Sequence, residues 1–77
     1  MKIKILTFAQ TRTQLGFAEK WFECEPGETP RQIFQRLAPA FDPGKTIRVA
    51  VNQEYAGWDQ PVGHATELAL IPPVSGG

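Results

Sequence analysis

Hydrophobic and polar residues alternate at the start of the chain, which is the pattern of a β-strand with one buried face. Within residues 2–9, Ile3 and Ile5 share one face. The opposite face carries Lys2, Lys4, Leu6 and Phe8. After this strand, residues 10–18 predict a short helical turn or irregular link with Gly16 as its C-cap. Comparable alternation predicts further strands over residues 19–25, 46–52, 55–59 and 66–71.

One segment has the signature of an amphipathic helix. Thr29 is a suitable N-cap, Pro30 occupies the first helical position, and Gln32 completes a capping box. An apolar stripe at helical spacing follows, formed by Ile33, Phe34, Leu37 and Phe41. Such a stripe packs on another element, and Pro39 is expected to end or kink the helix.

The order of elements is strand, strand, helix, strand, short strand, strand. A single helix must therefore cover one face of a mixed sheet. The side chains that need this cover are Ile3, Ile5, Phe22, Val49, Val51, Leu68 and Leu70. We expect an α+β fold of the ubiquitin-like, β-grasp type, with a four- to five-stranded sheet. Residues 1–77 are expected to form one domain, with residues 73–77 as a flexible C-terminal tail.

The other face of the predicted sheet has no such cover. If the first and last strands are neighbours, Leu6, Phe8 and Ile71 form an apolar patch without a partner inside the chain. Exposed patches of this kind often mark protein–protein contacts. The alternative is that these are scattered surface hydrophobes, which are common in globular proteins.

Composition and charge exclude several classes of protein. The 77 residues are 42% apolar and 21% charged, as in an ordinary globular domain. Eight basic and eight acidic residues give zero net charge, so we expect neither nucleic acid nor an anionic membrane as a partner. A single cysteine excludes a disulfide framework and a zinc finger. The chain has no apolar run near the ~20 residues of a membrane span and no signal-peptide pattern, which predicts a cytoplasmic protein.

No group of side chains forms a catalytic or metal-binding motif in the sequence. Residues 44–46 (GKT) look like the end of a phosphate-binding loop, but Pro39 stands where that motif requires glycine. His64 is the only histidine and is predicted to lie in a surface loop, whereas Cys24 is predicted to be a small core residue. We therefore expect no metal site, and a binding module, a carrier or a subunit is favoured over an independent enzyme.

The end of the chain offers a different kind of chemistry. Gly76 and Gly77 follow a strand and the stiff pair Pro72 and Pro73. Because glycine has no Cβ, such a tail can pass through a narrow channel. Its terminal carboxylate, with a pKa of ~3.3–3.7, is a poor electrophile until it is activated, for example as an acyl-adenylate. The alternative is a frayed terminus without a role.

Three motifs resemble the ubiquitin-like sulfur-carrier family, which includes the small subunits of molybdopterin synthases. Residues 72–77 (PPVSGG) are similar to the family's P-P-V-x-G-G terminus. Residues 8–16 (FAQTRTQLG) are similar to its F-A-x-x-R-x-x-x-G start. Residues 49–52 (VAVN) resemble its third strand and the turn that follows. The resemblance runs along almost the whole chain.

The resemblance implies that Gly77 is the reacting position. An E1-like adenylating enzyme would consume ATP to form a transient Gly77 adenylate, and a sulfur donor protein would convert it to a thiocarboxylate (1-thioglycine); no stably bound cofactor is implied. Val74, Ser75 and Gly76 would thread the tail into the large molybdopterin synthase subunit, where the sulfur passes to the pterin precursor of the molybdenum cofactor. Residues that would contact this subunit in a heterotetramer are Leu6, Phe8, Ile71, Pro72 and Pro73. Catalytic side chains would lie on the large subunit, which leaves open whether this chain is itself an enzyme.

Two other functions remain open. The chain can be a sulfur carrier for another product, such as the thiamin thiazole or a thiolated tRNA, or a ubiquitin-like protein modifier. It can also be a plain β-grasp interaction module whose glycines are incidental. The lead formed by Pro72, Pro73 and Val74 and the start motif over residues 8–16 favour the molybdopterin pathway.

Overall fold

Five strands form one mixed sheet in the computed structural model, which describes residues 1–73. The strands are β1 (Lys2–Leu6), β2 (Glu19–Glu23), β3 (Arg48–Val51), β4 (Glu54–Ala56) and β5 (Glu67–Ile71). Their order across the sheet is β2-β1-β5-β3-β4, with β1 and β5 parallel and every other pair antiparallel. The helices are α1 (Gln10–Leu15) and α2 (Pro30–Leu37). This arrangement confirms the predicted α+β, β-grasp fold, while the tail residues Val74, Ser75, Gly76 and Gly77 lie outside the described residues.

The core lies between α2 and one face of the sheet, as the alternating pattern predicted. Ile3 and Ile5 from β1 and Ile33 from α2 are fully buried. They pack with Val49, Leu68 and Leu70 from the two neighbouring strands. Phe22 and Val51 lie at the edge of this core and are partly buried. Burial of each such side chain contributes about 1.5–3 kcal/mol, so this one layer supplies most of the stability available to a small domain.

The start of α2 has the predicted capping box. The Thr29 hydroxyl accepts a hydrogen bond from the Gln32 amide at 3.2 Å, and the Gln32 side-chain oxygen accepts one from the Thr29 amide at 3.0 Å. The helix ends at Leu37, two residues before Pro39. Phe41 therefore lies beyond the helix, although the pattern placed it on the helical stripe. It still packs on the core, with its ring centroid 6.3 Å from that of Phe34.

The strands are shorter than the sequence pattern predicted. The third ends at Val51 because Asn52 and Gln53 take positive φ angles of 50° and 69° and turn the chain back into β4. Both central residues of a two-residue hairpin turn require this conformation. The fourth strand ends at Ala56 instead of reaching Asp59.

No described helix in residues 1–73 is long and apolar enough to cross a membrane.

Trp58 closes one end of the core, a role that the pattern did not reveal. Its indole Nε1 donates a hydrogen bond to the Ile47 carbonyl at 3.0 Å, and its ring meets Phe34 edge-on with centroids 5.9 Å apart. Arg31 lies over the same ring and makes two hydrogen bonds to Asp59, at 2.8 and 3.3 Å. Backbone hydrogen bonds add to this packing, from the Arg31 amide to the Trp58 carbonyl at 3.0 Å and from the Val62 amide to the Glu28 carbonyl at 2.9 Å. The irregular segment after β4 is therefore fixed to α2 and its preceding turn by both packing and backbone hydrogen bonds.

An ion pair joins α2 to the turn that precedes it. Arg36 donates hydrogen bonds to both carboxylate oxygens of Glu28, at 2.7 and 2.9 Å, and one to the Glu23 carbonyl at 2.9 Å. The hydrogen bonds from Arg36 hold the pKa of Glu28 below its ordinary value of 4.5. A carboxyl whose pKa is lowered by folding stabilises the native state above its unfolded pKa, and this contribution is lost as the pH falls through the folded pKa.

We therefore expect the free energy of unfolding to fall as the pH drops below about 4.5, with Glu28 contributing to the loss. Urea unfolding at a series of pH values from ~6 down to ~3 measures this dependence. Replacing Glu28→Gln removes the titrating group and should make the free energy of unfolding depend less steeply on pH. The control Glu54→Gln, on the exposed edge strand β4, should leave the slope unchanged. Equal slopes for the Glu28→Gln variant and the unmodified chain would contradict the assignment.

Candidate docking surface and C-terminal tail

The face of the sheet opposite α2, here called the open face, has an apolar depression at its centre. Its floor is formed by Ala50 and Ala69, which are only 7% and 5% exposed although no helix covers them. The cavity has a volume of about 300 Å³. Its lining residues are Leu6, Phe8, Ala50, Gln53, Tyr55, Glu67, Ala69 and Ile71.

The depression follows from the size of the side chains in one row across the sheet. Leu6 lies opposite Ala69, Ala69 opposite Ala50, and Ala50 opposite Tyr55. Residues in register point to the same face, so the small side chains on β5 and β3 lie between large ones on β1 and β4. A concave, apolar surface results, and it is shaped to receive a protruding apolar side chain.

The structure brings Leu6, Phe8 and Ile71 together, as predicted from the alternation. They are neighbours because β1 and β5 are adjacent and parallel, so the C-terminal ends of both strands lie at the same end of the sheet. Pro72 is half-buried and Pro73 is exposed directly after β5 ends. Neither proline can donate a ladder hydrogen bond, which explains why pairing stops at Ile71.

The position of β5 determines where the tail begins. This strand lies in the middle of the sheet, between β1 and β3, and its last residue Ile71 lies opposite Arg48. Any segment after Pro73 therefore starts beside the depression rather than at a remote corner. The open face and the last described residues, Pro72 and Pro73, together form one candidate site. The placements of Val74, Ser75, Gly76 and Gly77 lie outside the described residues.

A compact turn holds Phe8 on this surface. The Thr11 hydroxyl accepts a hydrogen bond from the Phe8 amide at 2.9 Å and donates one to the Phe8 carbonyl at 2.7 Å. The Thr11 amide bonds the same carbonyl at 3.0 Å. Thr11 is fully buried, and Thr7, also buried, donates its hydroxyl to the Phe17 carbonyl. These bonds fix the backbone at the end of β1, and with it the position from which the Phe8 side chain projects.

Ala9 within this turn has a backbone conformation that glycine adopts more easily, with φ 51° and ψ −123°. A side chain in such a region costs about 1–3 kcal/mol, whereas glycine costs about 0.5–1 kcal/mol in additional unfolded-state entropy. We expect Ala9→Gly to raise the free energy of unfolding by about 1 kcal/mol. Ala18 is exposed and has a negative φ, so the control Ala18→Gly should lower it. Urea unfolding of the two variants tests this, and destabilisation by Ala9→Gly would show that the turn is not strained.

The other candidate residues do not form a site. Cys24 is buried in the core as predicted, and burial raises the pKa of its thiol above the ordinary 9.0. His64 lies exposed in a loop, also as predicted. Among residues 1–73, no three histidine, cysteine, aspartate or glutamate side chains converge as metal ligands would.

Comparison with known proteins identifies the family of this chain. The sequence matches the ThiS family over residues 5–77. The chain belongs to the ThiS family. It is 33% identical to a protein from Arabidopsis thaliana named "Molybdopterin synthase sulfur carrier subunit", over 100% of this chain and 84% of the relative. A protein of the same name from Escherichia coli is 37% identical, over 97% of this chain and 99% of the relative.

Solved structures of other proteins share the fold. Crystalline SAMP1 from Haloferax volcanii superposes with a TM-score of 0.76 at 26% identity and covers the whole of both chains. A protein described as a putative molybdopterin converting factor subunit from Pyrococcus furiosus superposes with a TM-score of 0.75 at 23% identity, over 96% of this chain and 99% of that one. These likenesses confirm the β-grasp architecture of this ThiS-family chain.

Several residues of the site were not identified from the sequence. Ala50 and Tyr55 shape the depression, and Asn52 fixes the end of β3. The Asn52 side-chain oxygen accepts hydrogen bonds from the Thr66 and Glu67 amides at 3.0 and 3.1 Å. The available signal in the sequence was an asparagine at the end of a predicted strand, since asparagine tolerates the positive φ found here and commonly bonds backbone amides.

Proposed function

We propose that this ThiS-family chain is the sulfur carrier of a molybdopterin synthase, acting in the cytoplasm, with Gly77 as the reacting C-terminal residue. The observation that carries the proposal is the family match, which extends to residue 77 and includes relatives named as molybdopterin synthase sulfur carrier subunits. The described structure supports it because the tail begins beside an apolar docking surface. A carrier needs both features, a surface that binds its partner and a tail that reaches the partner's active site.

The first step of the proposed reaction activates the Gly77 carboxylate. One carboxylate oxygen attacks the α-phosphorus of ATP on an E1-like adenylating enzyme, and pyrophosphate leaves. The resulting mixed anhydride has AMP as its leaving group, which makes the carbonyl carbon a good electrophile. A persulfide on a sulfur donor protein then attacks this carbon through its terminal sulfur, and AMP departs. A second thiol attacks the donor sulfur of the resulting acyl disulfide, so that a disulfide forms on the donor and Gly77 is released as a thiocarboxylate. ATP is consumed by the activating enzyme and is not a resident cofactor of this chain.

The second step transfers the sulfur to the pterin precursor of the molybdenum cofactor. Val74, Ser75 and Gly76 would lead the thiocarboxylate into the active site of the large subunit, while the open face binds that subunit's surface. Two large and two small subunits would form the synthase. This chain supplies binding and the reactive group, and the large subunit supplies the catalytic side chains.

A protein-modifier function is the second candidate. The likeness to SAMP1 over the whole of both chains favours it, because a solved structure of the same fold is described as a small archaeal modifier protein. The same Gly77 adenylate would then be captured by a lysine amine, and an isopeptide bond would form instead of a thiocarboxylate. Both functions begin with the same activation and differ only in the nucleophile.

Intact-mass measurement distinguishes these functions. The chain is incubated with ATP, a candidate E1-like enzyme and a sulfur source. A sulfur carrier gains the mass difference between sulfur and oxygen, and addition of the large subunit with pterin precursor reverses the gain. A modifier instead appears as a covalent adduct with another protein. No change with any activating enzyme would leave a plain interaction module and reject the proposal.

A further inference from the structure

The large apolar side chains that are exposed within residues 1–73 all lie on the open face. Phe8, Trp21 and Tyr55 are 42%, 57% and 70% exposed. Trp21 lies in register with Lys4 on β1, and Tyr55 with Ala50 on β3, so both rings project from the side opposite α2. Single exposed hydrophobic side chains are ordinary, but three on one uncovered face indicate a contact surface.

Trp21 and Tyr55 stand at opposite edges of this face, and each has a cation over its ring. The Lys4 Nζ lies 5.4 Å from the Trp21 ring centroid, and the Arg48 guanidinium carbon lies 5.9 Å from that of Tyr55. Contacts of this kind restrict both partners before binding, so less side-chain entropy is lost when the pair is buried. Tryptophan, tyrosine and arginine are also the residues that most often dominate binding energy at protein interfaces.

The area of the open face determines how far a stable contact must extend. With strands ~4.8 Å apart and ~3.4 Å per residue, the face measures ~19 Å from β2 to β4 and ~17 Å along a five-residue strand. Its projected area is therefore ~320 Å², whereas a stable protein–protein interface buries about 800 Å² on each partner. The apolar patch of Leu6, Phe8 and Ile71 is only part of this face. Because the whole face is smaller than this, a subunit contact made by the open face and the tail is expected to use the face up to both edges.

We propose that Trp21 and Tyr55, each with its cation, are two outer anchors of the surface that binds the large synthase subunit. This inference rests on the proposed function and extends the docking surface to β2, beyond the residues beside the tail. The large subunit is then expected to present an apolar projection for the central depression and a pocket on either side. Each pocket must contain oxygen acceptors, because Lys4 and Arg48 lose their hydrating water when the rings are buried.

Calorimetric titration of the full chain with the large subunit tests the inference. Trp21→Ala and Tyr55→Ala are each expected to weaken the affinity at least ~10-fold, as is usual for an aromatic anchor. Because both side chains are exposed, the melting temperature of each variant should stay close to that of the unmodified chain. Trp21→Phe, which keeps a ring under Lys4, should recover part of the loss. Gln35→Ala, at an exposed position on α2, is the control and should bind normally.

Sulfur loading of the same variants separates this inference from the function on which it rests. Trp21→Ala that gains sulfur normally but binds the large subunit weakly is the expected result. An unchanged affinity for Trp21→Ala, a loss confined to Tyr55→Ala, or an equal loss in Gln35→Ala would overturn the assignment of Trp21. If the unmodified chain neither gains sulfur nor binds the large subunit, the proposed function fails and this inference fails with it.

Discussion

Removal of Gly77 is expected to abolish productive sulfur transfer while the affinity for the large subunit stays nearly unchanged. The deletion moves the terminal carbonyl back by one residue, about 3.3–3.6 Å along an extended chain. A displacement of ~1 Å at a reacting centre can already cost about 100-fold in rate, so a whole residue should suppress the reaction below detection. The depression of the open face is unaffected, because its lining residues all lie between Leu6 and Ile71, before the tail.

Two measurements on one sample test this separation of binding from chemistry. Intact mass reports sulfur gain at the terminus, and calorimetry reports the affinity for the large subunit. Ser75→Ala keeps the length of the tail and serves as the control, which should still gain sulfur. If the deletion variant gains and transfers sulfur at the unmodified rate, the reacting position is not Gly77. If it loses binding as well, the tail rather than the open face supplies most of the affinity.

The parts of the fold that the sequence predicted are those where one face is fully buried. Ile3 and Ile5 had to lie on the same side because a shift of one residue would place both in water. The start of α2 was predictable for a different reason, since Thr29, Pro30 and Gln32 satisfy the helix terminus through local hydrogen bonds alone. Local capping hydrogen bonds at the start of α2 and strict alternation in β1 each left few alternative structures for these segments.

The parts that were missed depend on contacts between residues that are distant in sequence. Trp58 has no periodic neighbours, and its role in the core becomes visible only when Ile47 and Phe34 are brought to it. The concavity of the open face likewise depends on the register that places Ala50 beside Ala69. Alternation shows which face each alanine occupies, but the pairing of strands decides whether small residues meet and form a depression.

The strand order places the proposed binding surface next to the point where the C-terminal tail begins. In the proposed complex, a central strand that ends beside the open face would allow the large subunit to bind the rigid sheet and receive the tail at the same time. Because the Thr11 turn fixes the backbone at Phe8, little loop entropy would be lost on docking. Binding energy from the sheet can then be used to place the terminus, which is how remote contacts contribute to catalysis.

Replacing Ile71→Asp should weaken binding of the large subunit by ~100-fold or more, since a carboxylate would have to be desolvated at the centre of an apolar contact. The chain itself should remain folded. Ile71 is only half-buried, and Arg48 lies directly opposite, where an opposite charge adds a favourable cross-strand pair. We therefore expect the free energy of unfolding to fall by no more than ~1–2 kcal/mol.

Calorimetry with the large subunit and urea unfolding of the free chain separate the two effects of Ile71→Asp. Ile71→Val is the matched control, because it keeps an apolar side chain at the wall of the depression and should lose less than ~5-fold in affinity. If Ile71→Asp unfolds the chain, Phe8→Asp, at an exposed position on the same surface, repeats the test. A folded Ile71→Asp variant with unchanged affinity would place the binding surface elsewhere than the open face, since no partner could cover the depression and leave its wall in water.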